Sequence, residues 1–362
     1  MKSELNEREK AQLANIDEFN ASVAQSGWQL KGKRLFDLSL SRIELNKSAL
    51  VDVEMIRVVA HDAKIANTSF DGVDFNFTDF ARASFSNVTF TNCKFTGAAF
   101  KTSTFAGCQF KQIIADEAEF DSARFQDCTF TDLKDHAGKF GHAAFISCRF
   151  QKPKWEKTSL YYAHFDATEF DDGKLERVIF ANTDVLALTF NRCAVDFCSF
   201  NETRSEQLRF RSCSSQRVTC GKAELGELQL SECSDFGGLA LLNSTCRLLA
   251  ITDCKGVSEP KFYQTKLQRL HITNSKVEYF YGVESEFLEA GEISNSTIIG
   301  INIAQATVKN LTIAQSKIEK YLSVEGTRFE HLSLKQVEYG AKLEFLDAGV
   351  TYTDSDRFAP PR

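Results

Sequence analysis

A single amino acid recurs every five residues through the middle of the chain. Between residues 70 and 210, 29 positions are separated by steps of five, and 21 of them are Phe. Five more hold other large apolar residues, and three are exceptions: Ala115, Asp135 and Ser205. A period of five matches neither a helix, at 3.6, nor a strand, at 2. It predicts a chain that turns a corner every five residues and directs one large side chain inward from each side.

A second inward position lies two residues before each of these large residues. It holds small or compact side chains, as in Ala83, Val88, Cys93 and Ala98, and polar residues fill the remaining places. Four such sides make a coil of twenty residues. After Phe210 the five-residue units fade, but similar segments recur at steps of 20 or 21, with Leu230, Ile251 and Ile272 in equivalent places. This favours about sixteen stacked coils, with the extra residue of the longer coils at a corner as a bulge.

The run "ASFSN VTFTN CKFTG AAFKT STFAG CQFKQ", which begins at Ala83, resembles the pentapeptide-repeat family. The resemblance implies an all-β fold, a right-handed quadrilateral β-helix. Because a solenoid grows by adding coils, the length of 362 residues does not require separate globular domains. We expect a capping helix and lid over residues 1–29, a regular β-helix over 30–215, a β-helix with 21-residue coils over 216–350, and a polar tail over 351–362.

The N-terminal lid is predicted from a capping box and an apolar stripe. Asn6 and Glu9 have the capping-box spacing, and Leu13, Ile16, Phe19 and Val23 recur at helical intervals before Gly27. A helix over residues 6–24 would cover the open end of the solenoid; its alternative role is to bind a partner. The C-terminal end shows no such pattern, and we expect a second copy of the chain to cover it as a homodimer.

The first ten residues are charged and polar, and neither a signal-peptide core nor a membrane span follows. We therefore expect a bacterial cytoplasmic protein, with secretion into a host by a signal-less route left open. The 11 cysteines fall mostly at compact inward positions, where a thiol serves as a small apolar filler. The net charge of −6 makes direct binding of nucleic acid an unfavoured function.

The sequence contains no nucleotide, hydrolase or zinc motif, so we expect no catalytic, cofactor-binding or metal-binding residues and no enzymatic activity. One group tests that expectation. Asp135 interrupts the Phe series close to His136 and His142, and His164 lies about one coil beyond His142. These side chains form an acid–base or metal site, or the segment is a local bulge with Asp135 turned to solvent. The second interpretation is favoured.

Binding must use the outer faces, because the repeated residues form the interior. The candidate interaction surface comprises Lys152, Lys154, Trp155, Tyr161 and Tyr162, together with Tyr279 and Tyr281. A non-enzymatic scaffold, adaptor or effector that binds an unidentified protein suits this mixed surface best. The family resemblance supplies an alternative, a DNA mimic that binds and protects type II topoisomerases. An enzyme acting on polysaccharide, as some longer-coiled β-helices are, is the least favoured alternative.

Overall fold

The computed structural model describes residues 2–340, 342–344 and 349–355. The chain forms two compact units, Met1–Ile179 and Phe180–Arg362. Each is built as a parallel β-solenoid, and the chain has about sixteen turns. The predicted all-β fold and turn number are thus confirmed. Among the described residues, no helix has the length and apolar character needed to cross a bilayer.

The first unit is a four-sided coil with one short strand on most sides. In one turn, the corners are Lys152, Lys157, Tyr162 and Ala167, each with a left-handed φ between 46° and 58°. The strands of the first side are Gln29–Lys31, Ala49–Val51, Ser69–Asp71, Thr89–Thr91, Gln109–Lys111, Thr129–Thr131, Arg149–Gln151 and Thr168–Asp171. Those of the second side are Lys33–Phe36, Glu54–Ile56, Lys134–His136, Lys154–Glu156 and Lys174–Glu176. The third side is held by isolated bridges such as Asp79 to Ala99. The strands of the fourth side are Glu44–Asn46, Lys64–Ala66, Ser84–Ser86, Thr104–Ala106, Arg124–Gln126, Ala144–Ile146 and His164–Asp166.

The Phe residues form stacked columns inside this unit. Phe110, Phe130 and Phe150 pair in register at intervals of twenty residues, and their ring centroids lie 4.5 Å and 4.4 Å apart with interplanar angles of 8° and 7°. Neighbours around the coil meet edge to face, as Phe125 and Phe130 do at 5.5 Å. Both arrangements are favourable for aromatic rings. The five-residue period of Phe therefore determines both the length of a side and the packing of the interior.

The predicted N-terminal helix is two helices, Glu7–Ala14 and Ile16–Val23, interrupted at Asn15, whose side chain caps the second one. The Asn6–Glu9 capping box is confirmed, with hydrogen bonds of 2.9 Å and 2.7 Å. Phe19 packs edge to face on Trp28 at 5.1 Å, and Asn20 hydrogen-bonds the backbone of Arg42 and Glu44. The strand Ser3–Glu4, which precedes the helices, pairs with Lys33–Phe36. The N-terminal segment therefore lies against the first turn of the coil.

In the second unit the corner between two sides straightens, and the two short strands merge into one long strand. The long strands are Asp184–Asn191, Arg204–Arg211, Glu224–Ser231, Thr245–Thr252, Lys266–Thr273, Glu286–Ser294, Thr307–Ala314, Arg328–Lys335 and Gly349–Ser355. The residue at the compact inward position changes at the same place: it is Cys128 and Cys148 in the first unit but Leu188, Leu208 and Leu228 here, all buried. Side-chain size alone does not straighten a corner, because Leu133 is buried directly after the tight corner at Asp132 in the first unit.

The remaining strands of the second unit shorten and then merge in the same way. They are Ala194–Asp196, Cys198–Ser199, Ser214–Ser215, Val218–Gly221, Asp235–Gly237, Leu239–Leu242, Val257–Ser258, Lys261–Tyr263, Lys276–Tyr281, Thr297–Asn302, Lys317–Ser323, Glu338–Tyr339 and Lys342–Glu344. The longer coils begin near a corner, as predicted, because the pairing interval changes from 20 at Phe210 to 21 at Ser214. Later register shifts lie inside strands, for example after Leu267 and after Ile298, and not at corners, where the extra residues were predicted.

Part of the predicted C-terminal tail is a strand. Residues 351–355 belong to Gly349–Ser355, which pairs with Arg328–Lys335, and residues 356–362 lie outside the described residues. The long strands start at Asp184, before the pairing interval between turns changes from 20 to 21 residues.

Candidate functional site

The unit-1 part of the candidate interaction surface is divided between different sides of the coil. Lys154 lies on the side between the corners Lys152 and Lys157, whereas Tyr161 and Tyr162 end the next side. The two tyrosines are 43% and 56% exposed, and the ring of Tyr162 stacks on His142 at 4.9 Å. Residues adjacent in sequence therefore face different directions, and these do not form one patch.

The prediction that Trp155 belongs to the interaction surface is wrong, because this residue lies inside the coil and is only 1% exposed. It occupies the Phe position of its turn and contacts Phe140, Phe150 and Phe170 at 5.1–5.6 Å. The direction of its side chain follows from its place in the five-residue count and not from the basic residues beside it. Its indole Nε1 has no hydrogen-bond partner among the described residues.

Asp135 is also buried, at 3% exposure, so the interpretation of a solvent-facing bulge is wrong. Its strand Lys134–His136 pairs in regular register with Lys154–Glu156, and Asp135 takes the inward place opposite Trp155. Its carboxylate accepts hydrogen bonds from the Thr158 hydroxyl and from the Gly138 N–H at 3.2 Å. Gly138 is required beside it, because a Cβ there would lie 2.2 Å from Oδ1. Burial raises the pKa of Asp135 to about 7 despite these hydrogen bonds.

Thr158 departs from a rule that its equivalents follow. Hydroxyls and thiols at the compact position normally donate to a backbone carbonyl of the preceding turn, as Ser103 does to Phe80 and Thr168 does to Phe145. Thr158 instead donates to the Asp135 side chain. The buried carboxyl of Asp135 is thus bound by a hydroxyl at the compact position, where such groups usually bond to the backbone. Among the described residues, no group of three His, Cys, Asp or Glu side chains could hold a metal, and this includes the predicted group of Asp135, His142 and His164.

All eleven cysteines are free thiols and buried. Cys108, Cys128 and Cys148 donate to the carbonyls of Phe85, Phe105 and Phe125 at 3.5–3.6 Å. Burial raises the pKa of Cys93, Cys220 and Cys246 to about 12. Because the thiolate is the reactive form, these three buried thiols are structural fillers. Cys93 lies at the compact position, whereas Cys246 takes the place that the larger Leu225 holds in the preceding turn.

The most exposed aromatic edge was missed. Asp37, Arg57 and Phe77 occupy the same corner of three successive turns, and Phe77 is 63% exposed. The Arg57 guanidinium makes two hydrogen bonds with Asp37, at 2.7 Å and 2.9 Å, and lies 4.1 Å above the ring of Phe36, which is 45% exposed. We call Phe36, Arg57 and Phe77 the aromatic edge. The signal was available: Phe77 and Phe197 are the two Phe residues between 70 and 210 that lie off the five-residue register, and both are exposed.

Some of the charged side chains on the outer faces pair between neighbouring turns. Arg82 binds Asp62 at 2.8 Å, Lys64 binds Glu44 at 2.9 Å, and Lys139 binds Glu119 at 2.8 Å, each across twenty residues. These exposed pairs add little stability. They do affect recognition, because a carboxylate with a cation beside it contributes little to a long anionic surface.

On the second unit, Tyr279 and Tyr281 point outward and are half-buried, and Phe280 between them is in the core. They lie beside Tyr321, which the sequence did not single out. The ring centroids of Tyr279 and Tyr321 are 6.3 Å apart.

Comparison with known proteins identifies the repeat. The model of the family described as pentapeptide repeats matches eight copies over residues 61–97 and 93–132. No curated protein sequence matches the chain significantly.

Among solved structures, trypsin-treated QnrB1, a plasmid-mediated fluoroquinolone resistance protein, has a TM-score of 0.34 and 16% identity, covering 48% of this chain and 82% of that one. HetL of Nostoc sp. strain PCC 7120, a pentapeptide repeat protein involved in heterocyst differentiation regulation, has a TM-score of 0.26 and 12% identity over 67% and 94%. The mannuronan C-5 epimerase AlgE6 A-module of Azotobacter vinelandii has a TM-score of 0.25 and 10% identity over 100% and 98%. Likenesses this remote say nothing about partners or chemistry. The matched repeats and the columns of stacked Phe rings lead to the same conclusion: the chain contains pentapeptide repeats, which the family model matches over residues 61–132.

Proposed function

We propose that the chain is a non-enzymatic scaffold that binds a protein partner through the aromatic edge of Phe36, Arg57 and Phe77. The observation that supports the proposal is the 63% exposure of Phe77 at the corner that follows Arg57 in the same column, where Arg57 itself lies over the exposed ring of Phe36. Aromatic residues and Arg are enriched at protein interfaces, and Arg is among the residues that dominate their energetics. Covering one exposed Phe side chain completely contributes on the order of 1.5–3 kcal/mol.

The geometry of the edge supports docking rather than a structural role. The Phe77 ring lies against the backbone of Gly97 on the next turn, where a Cβ would come within 2.7 Å of the ring. Arg57 is held over Phe36 by its two hydrogen bonds with Asp37, which also lower the pKa of that carboxyl. Ordered side chains lose less entropy on binding than mobile ones.

The test is photo-crosslinking from position 77. A photoreactive Phe analogue replaces Phe77 in the full chain, and the control carries it at Thr102, another exposed corner of the same unit. We expect one protein to be captured in stoichiometric amount at position 77 and not at position 102. Phe36→Ser combined with Phe77→Ser should abolish its binding, and Thr102→Ala should not. The same captured proteins at both positions would refute the proposal.

Binding to a type II topoisomerase is the alternative partner. Mimicry of DNA needs a dense array of unpaired acidic groups, and the pairing of Asp62 with Arg82 and of Glu119 with Lys101 and Lys139 works against it. A DNA supercoiling assay separates the two: inhibition or protection of the topoisomerase at micromolar protein would favour the alternative. The proposed homodimer through the C-terminal end is tested separately by sedimentation, which would show a monomer if it is wrong.

A further inference from the structure

A cluster of three tyrosines lies on the outer face of the second unit. The strands Lys276–Tyr281, Thr297–Asn302 and Lys317–Ser323 run parallel, and their register places Tyr279, Gly300 and Tyr321 in one column. The ring centroids of Tyr279 and Tyr321 are 6.3 Å apart at 27°, and those of Tyr279 and Tyr281 are 6.4 Å apart at 22°. At these separations the rings are offset and each ring is half-buried, and the Lys320 ammonium lies 5.3 Å from the centre of the Tyr279 ring.

Two local features build this tyrosine cluster. Gly300 leaves space between the outer rings, because a Cβ there would lie 2.8 Å from Tyr321 Cε1 and 3.2 Å from Tyr279 Cδ1. The strand Lys317–Ser323 has one extra residue between Ile318 and Tyr321 relative to the strand that holds Gly300, and this forms a bulge. Lys320 lies in the bulge and donates a hydrogen bond to the phenol oxygen of Tyr279, with Nζ at 2.7 Å. Bulges re-aim side chains in this manner. Burial and the neighbouring hydroxyl of Tyr281 raise the pKa of Tyr321 to about 12, so it keeps its proton.

The cluster continues into a groove of about 530 Å³ on the preceding turns. Ala240 pairs with Lys261 and Lys261 pairs with Tyr281, so one column connects the groove to the cluster. The Lys261 ammonium lies 5.7 Å from the centre of the Tyr281 ring. The small residues Gly237, Gly238 and Ala240 line the groove, together with two cations, Arg217 and Lys261, and two carboxylates, Glu259 and Glu278.

The chemistry of this surface selects one kind of ligand. Within the groove the two positive and two negative charges balance, and Lys261 pairs with Glu259 at 3.0 Å, so the groove attracts neither an anionic polymer nor a cationic one. Every sugar hydroxyl both donates and accepts hydrogen bonds, and the groove offers donors and acceptors together. The partly exposed tyrosine faces suit the apolar C–H face of a pyranose ring. A peptide would gain no strand pairing here, because the backbone groups of these strands already pair between turns.

We propose that the tyrosine cluster and the adjoining groove form a binding site for a neutral oligosaccharide that lies across the turns of the second unit. The scaffold function of the first unit does not depend on this site. Binding is non-covalent and involves no catalytic step.

The test is isothermal titration calorimetry of the full chain with cellohexaose, xylohexaose, maltohexaose and chitohexaose, and with a mannuronate hexasaccharide as the anionic comparison. We expect at least one neutral hexasaccharide to bind with a dissociation constant of about 1 mM or tighter, and the mannuronate not to bind. Tyr281→Ala, Arg217→Ala and Gly300→Ala should each weaken binding by about tenfold or more. The control Tyr162→Ala removes an exposed tyrosine from the other unit and should leave the affinity unchanged.

Gly300→Ala keeps all three phenols and changes only their spacing. If that variant fails to fold by circular dichroism, the variants of outward-facing residues, Tyr281→Ala and Arg217→Ala, decide the outcome. Three results would overturn the proposal: no neutral hexasaccharide binds, the mannuronate binds better than the neutral sugars, or the affinity survives these two variants. A photo-crosslinker at position 281 that captures a protein instead would also overturn it.

Discussion

Replacing Asp135 by Asn should remove a large pH dependence from the stability of the first unit. Asp135 is 3% exposed among aromatic side chains, and burial raises its pKa from 3.8 to about 7. Because the folded state holds the proton more tightly than the unfolded state, stability is greatest at low pH and falls as the pH rises from about 4 to about 7. At 1.36 kcal/mol for each pKa unit, a shift of about three units amounts to about 4 kcal/mol.

The assay is urea unfolding of the wild-type chain and of Asp135→Asn between pH 4.5 and 8. Asn has nearly the same volume and cannot ionise, so it loses the pH-dependent term. It also changes the hydrogen bonds to Thr158 and Gly138, which adds an offset that hardly varies with pH. We therefore expect the variant to gain about 3 kcal/mol relative to wild type between pH 4.5 and 8.

Asp127→Asn provides the matched control, since Asp127 is an exposed corner residue of the preceding turn and its replacement removes the same charge. Equal pH dependence in wild type and Asp135→Asn would refute the reasoning and would mean that the carboxyl is hydrated in solution. A direct check is the carbon-13 chemical shift of the Asp135 carboxyl, which should titrate near pH 7.

Three further predictions follow from the interior. Thr158→Val removes a hydrogen bond that lowers the pKa of Asp135, so the loss of stability should move to higher pH in the same unfolding assay. Phe130→Ala should destabilise the first unit by about 3–5 kcal/mol, measured by urea unfolding, because it empties one position of a stacked column; a loss below 1 kcal/mol would mean the column collapses around the gap. A thiol reagent such as Ellman's reagent should modify none of the eleven buried cysteines in the native chain and all of them in guanidinium chloride, and fast reaction of native thiols would contradict their assignment as fillers.

The sequence predicted the interior well because the interior repeats. Each inward position is specified many times over, so Trp155 and Asp135 could both be placed in the core by counting in fives. The surface interpretation of Trp155 and the solvent-facing interpretation of Asp135 failed where residue chemistry was given more weight than that count. A polar or amphipathic side chain follows the backbone direction when its strand stays in register, and it is then satisfied locally, as Thr158 and Gly138 satisfy Asp135.

The candidate binding surfaces were harder to predict, because they depend on departures from the repeat. Phe77 is informative for being out of register, Gly300 for lacking a side chain, and Lys320 for occupying an inserted position. None of these three residues is an unusual amino acid. Each is unusual only in comparison with the equivalent residues of neighbouring turns. The second unit departs from the repeat as well: Leu188 and Leu208 occupy a position that mostly holds smaller side chains in the first unit, and both lie within long strands. Longer strands make wider faces and admit bulges, and the tyrosine cluster lies beside one of them. Both proposed binding surfaces therefore lie where the repeat is interrupted, the aromatic edge at a corner and the tyrosine cluster at a bulge.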